Sequence, residues 1–137
     1  MIRYTDSIED ITPDQLRSGF FKGWPNPPSP ETHLKILKSS DHIVLAIDEE
    51  AGQVIGFITA ISDGILSAYI PLLEVLPAYR KQGIGTELMR RLMEKLRDLY
   101  MVDLITGPEL EHFYRRFGMK PAFGMSIRNF ARQAGAG

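Results

Sequence analysis

The stretch that decides the fold is Leu73-Glu-Val-Leu-Pro-Ala-Tyr-Arg-Lys-Gln-Gly-Ile-Gly85, which runs directly into Thr86–Leu99. An apolar strand is followed by a turn that starts at proline, a short basic loop with two glycines, and a long amphipathic helix. The first N–H groups of a helix have no intrahelical partner, and the helix dipole favours negative charge there. Because glycine lets the backbone approach a ligand closely, this stretch predicts a phosphate-binding loop.

The elements before this loop change from helical to strand-like periodicity. Ile2–Thr5 is typical of a short strand, and a capping box with proline at its first position predicts a helix beginning after Thr12. A second helix is expected from Pro30 to about Lys38. Two runs rich in Val and Ile then predict a hairpin of strands over His42–Ile47 and Gln53–Ile61.

A third long strand over Ile65–Val75 leads into the loop, and the helix after it has an apolar stripe. A strand over Met101–Ile105, a helix from Gly107 to Gly118 and a last strand over Ala122–Arg128 complete the chain. The order β-α-α-β-β-β-α-β-α-β predicts an α/β fold, a twisted mixed sheet with helices on both faces. We expect one domain over residues 1–130 and a flexible tail over residues 131–137.

Composition narrows the functional classes. The chain has 137 residues, a formal net charge of −1 and no cysteine, so neither thiolate metal sites nor a cysteine nucleophile can form. The absence of a basic balance argues against nucleic-acid or membrane partners. No signal peptide or long apolar run is evident, which favours a cytoplasmic protein. The histidines His33, His42 and His112 lie in three different elements and lack ligand spacing, so we expect no metal.

The two loop glycines, Gly83 and Gly85, are equally consistent with a tight turn that packs a helix closely on a strand. The P-loop pattern is absent because Gly85 is followed by Thr86 and Glu87. The dinucleotide fingerprint is absent as well, because position 88 is leucine. Nucleoside triphosphates and NAD are therefore disfavoured as ligands.

The remaining pattern is Arg80-x-x-Gly-x-Gly85, preceded by Val75-Leu-Pro77 and followed farther along by Phe113-Tyr-Arg-Arg-Phe-Gly-Met119. This combination resembles the GCN5-related N-acetyltransferase family, GNAT, over nearly the whole chain. The resemblance implies a sheet whose fourth and fifth strands splay apart to admit acetyl-coenzyme A. It also implies that Val75 and then Leu76 offer backbone groups to the acetyl carbonyl and the pantetheine arm. The pyrophosphate would be held by backbone amides of Gln82, Gly83, Ile84, Gly85 and Thr86, with Arg80 and Lys81 lining the approach.

Catalytic groups follow from the same resemblance and from the chemistry. Tyr114 matches the position that protonates the departing thiolate, although it could be a core aromatic. Glu74 lies in an apolar strand, where burial would raise the pKa of its carboxyl toward that of a base, or it could be a structural carboxylate. Tyr69 stands where some relatives carry a catalytic Glu, so Asp103 or ordered water are alternative bases.

The expected function is N-acetyl transfer from acetyl-CoA to a primary amine of a small molecule or peptide, by direct attack in a ternary complex. A non-catalytic acyl-CoA-binding regulatory module is the alternative, and a binder of another phosphorylated ligand is a third. The aromatic residues Phe20, Phe21 and Trp24 could form an acceptor wall or plug the core. His112 could edge the cofactor channel or be solvated. The resemblance also implies that a homodimer could form, and the apolar strand Ala122–Ile127 could reach a partner chain.

Overall fold

The computed structural model describes residues 1–135, so Ala136 and Gly137 of the expected tail lie outside the described residues. Six strands and three α-helices are present in this part of the chain, together with four short 3₁₀ turns. The turns cover Pro13–Leu16, Pro77–Tyr79, Pro108–Leu110 and Phe130–Arg132. The main elements are β1 (Ile2–Thr5), α1 (Pro30–Ser39), β2 (His42–Asp48), β3 (Gln53–Ser62), β4 (Ser67–Tyr69), β5 (Leu73–Val75), α2 (Ile84–Lys95), β6 (Met101–Asp103) and α3 (Glu111–Arg115).

The strands form one mixed sheet in the order β1-β2-β3-β4-β6, with β5 also paired to β3. The pairs among β1, β2, β3, β4 and β5 are antiparallel, whereas β6 runs parallel to β4 after the α2 crossover. A parallel neighbour requires a long connection, and α2 supplies it. The predicted α/β fold with a mixed sheet is therefore confirmed.

The two faces of the sheet carry separate apolar clusters, as alternation along β2 shows. Ile43, Leu45 and Ile47 pack with Leu34 and Leu37 of α1. The intervening β2 residues Val44 and Ala46 belong instead to the cluster around α2. Because successive strand side chains point to opposite faces, α1 and α2 lie on opposite sides of the sheet. The α2 stripe that the sequence predicts is buried, with Ile84, Leu88, Leu92 and Leu96 all less than 4% exposed.

A bulge in β3 brings α2 close to the sheet. The pairing of β2 with β3 shifts after Ala46, so that Ile55 has no register partner. The next residue, Gly56, faces α2, where an added Cβ would lie 3.2 Å from Leu88 Cδ1 and 3.4 Å from Ile84 Cγ2. Glycine at this position therefore permits the close packing of the sheet on the first turns of α2.

The first predicted helix is reduced to a single 3₁₀ turn. The capping box forms, since the Thr12 N–H donates to Gln15 Oε1 at 2.9 Å. Two left-handed residues soon follow, Gly19 at φ 114° and Phe21 at φ 64°, and they reverse the chain direction. The helix predicted to begin after Thr12 is therefore only one turn long, because this backbone cannot continue it.

The third predicted strand is divided into β4 and β5. Pro71 lies at the break and has no N–H to donate to a neighbouring strand. The strand after α2 ends at Asp103 rather than Ile105, and α2 itself ends at Lys95 rather than Leu99.

The C-terminal part differs most from the sequence prediction. Residues 107–118 do form a helical segment, a 3₁₀ turn continued by α3, and Gly118 adopts φ 84° as expected of a C-cap. Ala122–Arg128 is not a strand, because no other segment of residues 1–135 pairs with it. The described part of the expected tail enters a 3₁₀ turn, Phe130–Arg132, that is attached to Asn26. The domain limits stay a prediction.

Candidate cofactor and active site

The sheet divides where β4 ends. β4 pairs with β6 as far as Ile70, whose N–H donates to the Asp103 carbonyl at 2.9 Å. Beyond Pro71 the chain pairs only with β3, so β5 diverges from β6 and a gap opens between them. This split is the feature that the resemblance led us to expect between the fourth and fifth strands of the family fold.

The backbone of β5 offers hydrogen-bonding groups to this gap. The bonds from Thr59 N–H to the Leu72 carbonyl and from Leu76 N–H to the Ile55 carbonyl show that even-numbered residues face β3. By alternation, the N–H of Val75 points to the opposite, open edge. Leu76 has its N–H occupied, and its carbonyl accepts from Tyr79 N–H at 2.9 Å. Of the two predicted backbone contacts, only Val75 therefore has a donor free for a ligand.

A 3₁₀ turn fixes the direction in which the chain leaves β5. The Tyr79 hydroxyl donates to Asp48 Oδ2 at 2.5 Å and ties the turn to the end of β2. This hydrogen bond, with those from the N–H groups of Ala51 and Glu50, lowers the pKa of the Asp48 carboxyl. The turn is thereby anchored to the β2–β3 hairpin before the glycine loop begins.

The glycine loop presents a row of unpaired donors at the start of α2. Gly83 has φ 80° and Lys81 has φ 64°, so two residues of the loop are left-handed. The first hydrogen bond of the helix runs from Glu87 N–H to the Gly83 carbonyl at 3.0 Å. Within residues 1–135 the N–H groups of residues 82–86 donate to no other protein group. These donors, at the positive end of a 12-residue helix, are suited to an anion.

Three cationic side chains surround these donors. Arg80 Nε donates to the Val75 carbonyl at 3.1 Å, which holds the guanidinium between β5 and the loop. Lys81 is exposed beside it. Arg116 Nη2 donates to Thr86 Oγ1 at 2.5 Å, and its guanidinium lies 5.2 Å from the Phe113 ring centroid. The sequence analysis did not identify Arg116 as a site residue. Its position three residues after Phe113 in the predicted helix could have indicated that the guanidinium lies over the Phe113 ring.

A carboxylate also lies in the first turn of α2. Glu87 accepts from Arg90 at 2.5 Å and from Arg91 at 2.6 Å. These two arginines lower the pKa of the Glu87 carboxyl to about 2. Because its charge is matched by two neighbouring cations, Glu87 does not oppose an anion at the helix start.

Gly85 joins the loop to β5 and α3. A Cβ built on Gly85 would lie 3.7 Å from Phe113 Cζ and 3.8 Å from Val75 Cγ2. These are ordinary contact distances, so a methyl group fits and a larger side chain would fill the space between the loop and Phe113. The helix start, the open edge of β5 and the aromatic face of α3 therefore meet at this residue.

Tyr114 lies next to this meeting point on α3. Its ring packs edge-on against Phe113 with centroids 4.9 Å apart, and the side chain is half-buried against the α2 cluster. Burial raises the pKa of the Tyr114 phenol, so the hydroxyl is protonated at neutral pH. Among the described residues the hydroxyl has no hydrogen-bond partner. The phenol thus carries a proton at neutral pH that no hydrogen bond within the described residues holds.

Glu74 faces the opposite side of the sheet from Val75, toward α1. Its two carboxylate oxygens accept the N–H of Phe21 at 3.1 and 3.2 Å. Burial is the main influence and raises the pKa of the Glu74 carboxyl, while the Phe21 N–H and the charge of Arg80 act in the other direction. The carboxylate therefore has two roles open to it, as a base and as an anchor for the left-handed Phe21.

The aromatic residues before α1 form a buried cluster beside Glu74. Phe21 is 3% exposed and Phe57 is fully buried, and His33 lies between them with ring centroids 4.9 and 4.4 Å away. Phe20 packs edge-on against Phe57 at 5.1 Å. Trp24 contacts Phe21 but remains 38% exposed. Phe21 thus belongs to the core, Phe20 is partly buried against it, and Trp24 lies at its rim.

The other candidate bases lie on the β4 side of the split. Tyr69 and Asp103 are register partners in the parallel pair of β4 and β6, so they lie side by side across the two strands. His112 is exposed on α3. In the part of the chain that the structure describes, no three potential metal ligands cluster. None of its helices is long and apolar enough to span a membrane.

The sheet is mixed and split, and free amides at the start of α2 lie next to the split. These features define a class of α/β protein whose helix start is suited to an anion. Residues 8–119 match the model of the Acetyltransferase (GNAT) family. The chain therefore belongs to the GNAT acetyltransferase family, and the predicted resemblance is confirmed.

Solved structures support this assignment. A candidate acetyltransferase from Deinococcus radiodurans R1 is 51% identical, with a TM-score of 0.94 over 99% of this chain and 94% of that one. A GNAT family acetyltransferase from Streptococcus pneumoniae TIGR4 is 31% identical, with a TM-score of 0.75 over 94% of this chain and 98% of that one. The sheet and helix arrangement is therefore that of solved GNAT structures.

Among curated proteins, the chain is 28% identical over 115 residues to the GCN5-related N-acetyltransferase 1, chloroplastic, of Arabidopsis thaliana. That alignment covers 82% of this chain and 58% of the plant protein. A relative from Glycine max is 29% identical over 81% of this chain and 49% of its own length. The chain thus spans about half the length of the curated relatives it matches.

Proposed function

We propose that the protein is an N-acetyltransferase that moves an acetyl group from acetyl-CoA to a primary amine of a small molecule or peptide. The observation that carries the proposal is the row of unpaired N–H groups over residues 82–86, next to the gap between β5 and β6. A diphosphate satisfies such donors, and a narrow arm attached to it can extend into the gap. The cytoplasmic location expected from the sequence stays a prediction.

The residues present suit coenzyme A. The backbone amides from Gln82 to Thr86 would hold the pyrophosphate, and Arg80, Lys81 and Arg116 would balance its charge. The free N–H of Val75 would donate to the thioester carbonyl, whose oxygen gains negative charge as the acetyl group is transferred. Acetyl-CoA supplies a thioester, an activated acyl group that needs no covalent enzyme intermediate, in accord with a chain that has no cysteine.

Acetyl transfer requires one group that accepts the proton of the amine and one that donates a proton to the departing sulfur. The amine nitrogen forms its bond to the carbonyl carbon as the carbon–sulfur bond breaks, and the amine loses a proton while the sulfur gains one. Tyr114 is the proposed donor to sulfur, because its phenol is protonated and has no other partner. Glu74 is the proposed acceptor of the amine proton, because its raised pKa makes it a better base than an exposed carboxylate. Asp103 and ordered water are the alternatives.

One observation favours the second function, a non-catalytic acyl-CoA-binding module. Both oxygens of Glu74 share the N–H of Phe21, which is what a purely structural carboxylate would do. In such a module the cofactor loop would still bind, and no amine would be acetylated. The two functions therefore differ in turnover and not in cofactor affinity.

Cofactor binding is tested by calorimetry with coenzyme A, ATP and NAD. We expect binding of coenzyme A in preference to the other two. Gly85→Leu should abolish it by filling the space toward Phe113, whereas Gly85→Ala should retain it because a Cβ fits at 3.7 Å. Equal loss in both variants, or no binding by the unaltered chain, would contradict the assignment of the loop.

Turnover is tested by thiol release from acetyl-CoA across a panel of primary amines. Tyr114→Phe should lower kcat about 10²–10⁴-fold if the phenol is the general acid. Glu74→Gln keeps an acceptor for Phe21 N–H but removes the base, so it should lower kcat while the melting temperature stays near that of the unaltered protein. Tight binding of coenzyme A with no turnover on any amine would favour the non-catalytic module instead.

A further inference from the structure

The stretch between β5 and α2, residues 77–83, is called the entry segment below. The last backbone hydrogen bond before it runs from Leu76 N–H to the Ile55 carbonyl at 2.9 Å and still belongs to the sheet. Among the described residues, every backbone hydrogen bond of the entry segment itself stays within residues 76–87. The backbone hydrogen bonds alone therefore do not fix where the donors over residues 82–86 lie relative to the strands.

One side chain connects the entry segment to a distant strand. The Tyr79 hydroxyl donates to Asp48 Oδ2 at 2.5 Å, and the two residues are 31 positions apart in the sequence. The other side-chain hydrogen bond of the entry segment, within the described part of the chain, runs from Arg80 Nε to the Val75 carbonyl only five positions back. The Tyr79 ring also packs against the α2 cluster. Tyr79 thus joins the end of β2, the α2 cluster and the cofactor loop.

Asp48 is a fixed acceptor for this hydrogen bond. It is the last residue of β2, and a neighbouring strand pairs with it on each side. Its Oδ1 accepts the N–H groups of Glu50 and Ala51 at 3.1 and 3.3 Å, which leaves Oδ2 for the phenol. The shared hydrogen bond lowers the pKa of the Asp48 carboxyl and raises the pKa of the Tyr79 phenol. At neutral pH the donor is therefore protonated and the acceptor ionised, which gives a charge-assisted hydrogen bond.

We propose that Tyr79 and Asp48 are positioning residues for the cofactor: their hydrogen bond fixes the diphosphate donors over residues 82–86 relative to the free N–H of Val75. The inference rests on the proposed function, in which one acetyl-CoA molecule must reach both places at once. In this role Tyr79 acts through the loop that follows it and needs no contact with the cofactor. Because the diphosphate is remote from the reacting carbonyl, a displaced loop weakens binding in the ground state and in the transition state alike.

Tyr79→Phe removes the donor and keeps the ring that packs against the α2 cluster. Because a hydrogen bond to a charged group shifts an equilibrium by roughly 10- to 100-fold, we expect the affinity for coenzyme A in calorimetry to fall about tenfold or more. Pantetheine lacks the diphosphate, so it should bind the variant and the unaltered protein equally. Tyr100→Phe is the matched control: it removes a hydroxyl from a side chain that is 83% exposed before β6, and both affinities should stay unchanged.

Asp48→Asn tests the acceptor. The amide keeps an oxygen for the N–H groups of Glu50 and Ala51, but its hydrogen bond with the phenol is no longer charge-assisted. This variant should weaken coenzyme A binding less than Tyr79→Phe does. The double variant should bind coenzyme A no more weakly than Tyr79→Phe alone, because both changes act on one shared hydrogen bond. Additive losses of affinity would show that the two side chains act independently and would overturn the proposal.

The outcomes separate this inference from the proposed function. If the unaltered chain does not bind coenzyme A, the proposed function fails and the inference fails with it. If the unaltered chain and Tyr79→Phe bind coenzyme A equally well, only the positioning role is overturned. Equal losses for coenzyme A and pantetheine would also overturn it, because they would show a general disturbance of the site.

Kinetics give a second readout once an amine that is acetylated has been found. Tyr79→Phe should raise the KM for acetyl-CoA about tenfold, since the lost interaction is made before and during the reaction alike. The kcat and the KM for the amine should stay near those of the unaltered protein. A lower kcat with an unchanged KM for acetyl-CoA would contradict a role in holding the diphosphate.

Discussion

His33 should make the protein lose stability in mild acid. Its side chain is 1% exposed among Phe20, Phe21 and Phe57, and Nε2 has no hydrogen-bond partner in the described residues. Burial lowers the pKa of the imidazole to about 4, so the folded protein keeps it neutral. In the unfolded chain the imidazole is protonated below its ordinary pKa of about 6.5. The unfolded state therefore binds the extra proton, and stability falls as the pH drops through the interval from about 6.5 to about 4.

The magnitude follows from the two pKa values. Lowering the pH from 7 to 4.5 should cost roughly 2–3 kcal/mol of unfolding free energy through this one group. Replacing His33 by Phe keeps a ring of similar shape in an aromatic site and removes the titrating nitrogens. The variant should thus lose about that much less stability over the same pH interval. Carboxyls with lowered pKa, such as Asp48 and Asp63, contribute equally in both proteins and cancel in the comparison.

The assay is urea unfolding at pH 7 and at pH 4.5, followed by circular dichroism. The quantity of interest is the difference between the pH dependence of the unaltered protein and that of His33→Phe. His112→Phe, at an exposed helix position, is the matched control and should leave the pH dependence unchanged. If His33→Phe loses as much stability in acid as the unaltered protein, His33 is not buried and neutral as described, and the reasoning fails.

Three other predictions concern packing and the cofactor loop. Gly56→Val should destabilise the fold by about 1–3 kcal/mol by overpacking, measured by urea unfolding. Leu88→Ala should lower the unfolding free energy less in the Gly56→Val background than in the unaltered protein, because it removes the side chain that the valine would crowd. Additive losses in the double variant would contradict a clash with Leu88. Lys81 has a left-handed backbone, which glycine adopts without strain, so Lys81→Gly should raise the unfolding free energy by about 1 kcal/mol. The same variant should weaken coenzyme A binding. A loss of stability would contradict the backbone strain at Lys81. Arg116→Ala should weaken coenzyme A binding in calorimetry, whereas Arg115→Ala, whose partner is on its own helix, should not, and equal effects would remove Arg116 from the site.

The fold could be predicted largely from local patterns. The continuous apolar run of β2 and the apolar stripe of α2 each predict buried positions, and the residues of both are buried. The capping box at Thr12 also forms, yet the helix it predicts is a single turn because Gly19 and Phe21 turn the chain soon afterwards. A capping box predicts where a helix begins. The length of that helix depends on the backbone conformation and tertiary contacts of the residues that follow.

The last predicted strand illustrates a different limit. The alternation of Phe123, Met125 and Ile127 encodes an extended segment with one apolar face, but in the described part of the chain these three side chains are exposed and the segment forms no strand. A segment forms a strand only by pairing with a neighbouring strand, however, and the apolar pattern does not specify which sheet edge it would pair with. Similarly, Pro71 could have been read as a break in the third strand, because it lacks the N–H that a central strand needs.

The cofactor loop and the catalytic groups differ in predictability for a physical reason. In the proposed function the loop would act through backbone N–H groups, and the residues that shape it, Gly83 and Gly85, lie within one short stretch whose conformation is largely local. Glu74 acts through a side chain whose role depends on Phe21, 53 residues away in sequence. Burial and the Phe21 N–H shift the pKa of the Glu74 carboxyl in opposite directions. Their balance depends on how the segment before α1 packs, and no local sequence pattern specifies that packing. The conformation of one turn, with its free N–H groups, can thus be predicted from spacing, whereas the surroundings of a carboxylate between two distant segments require the folded chain.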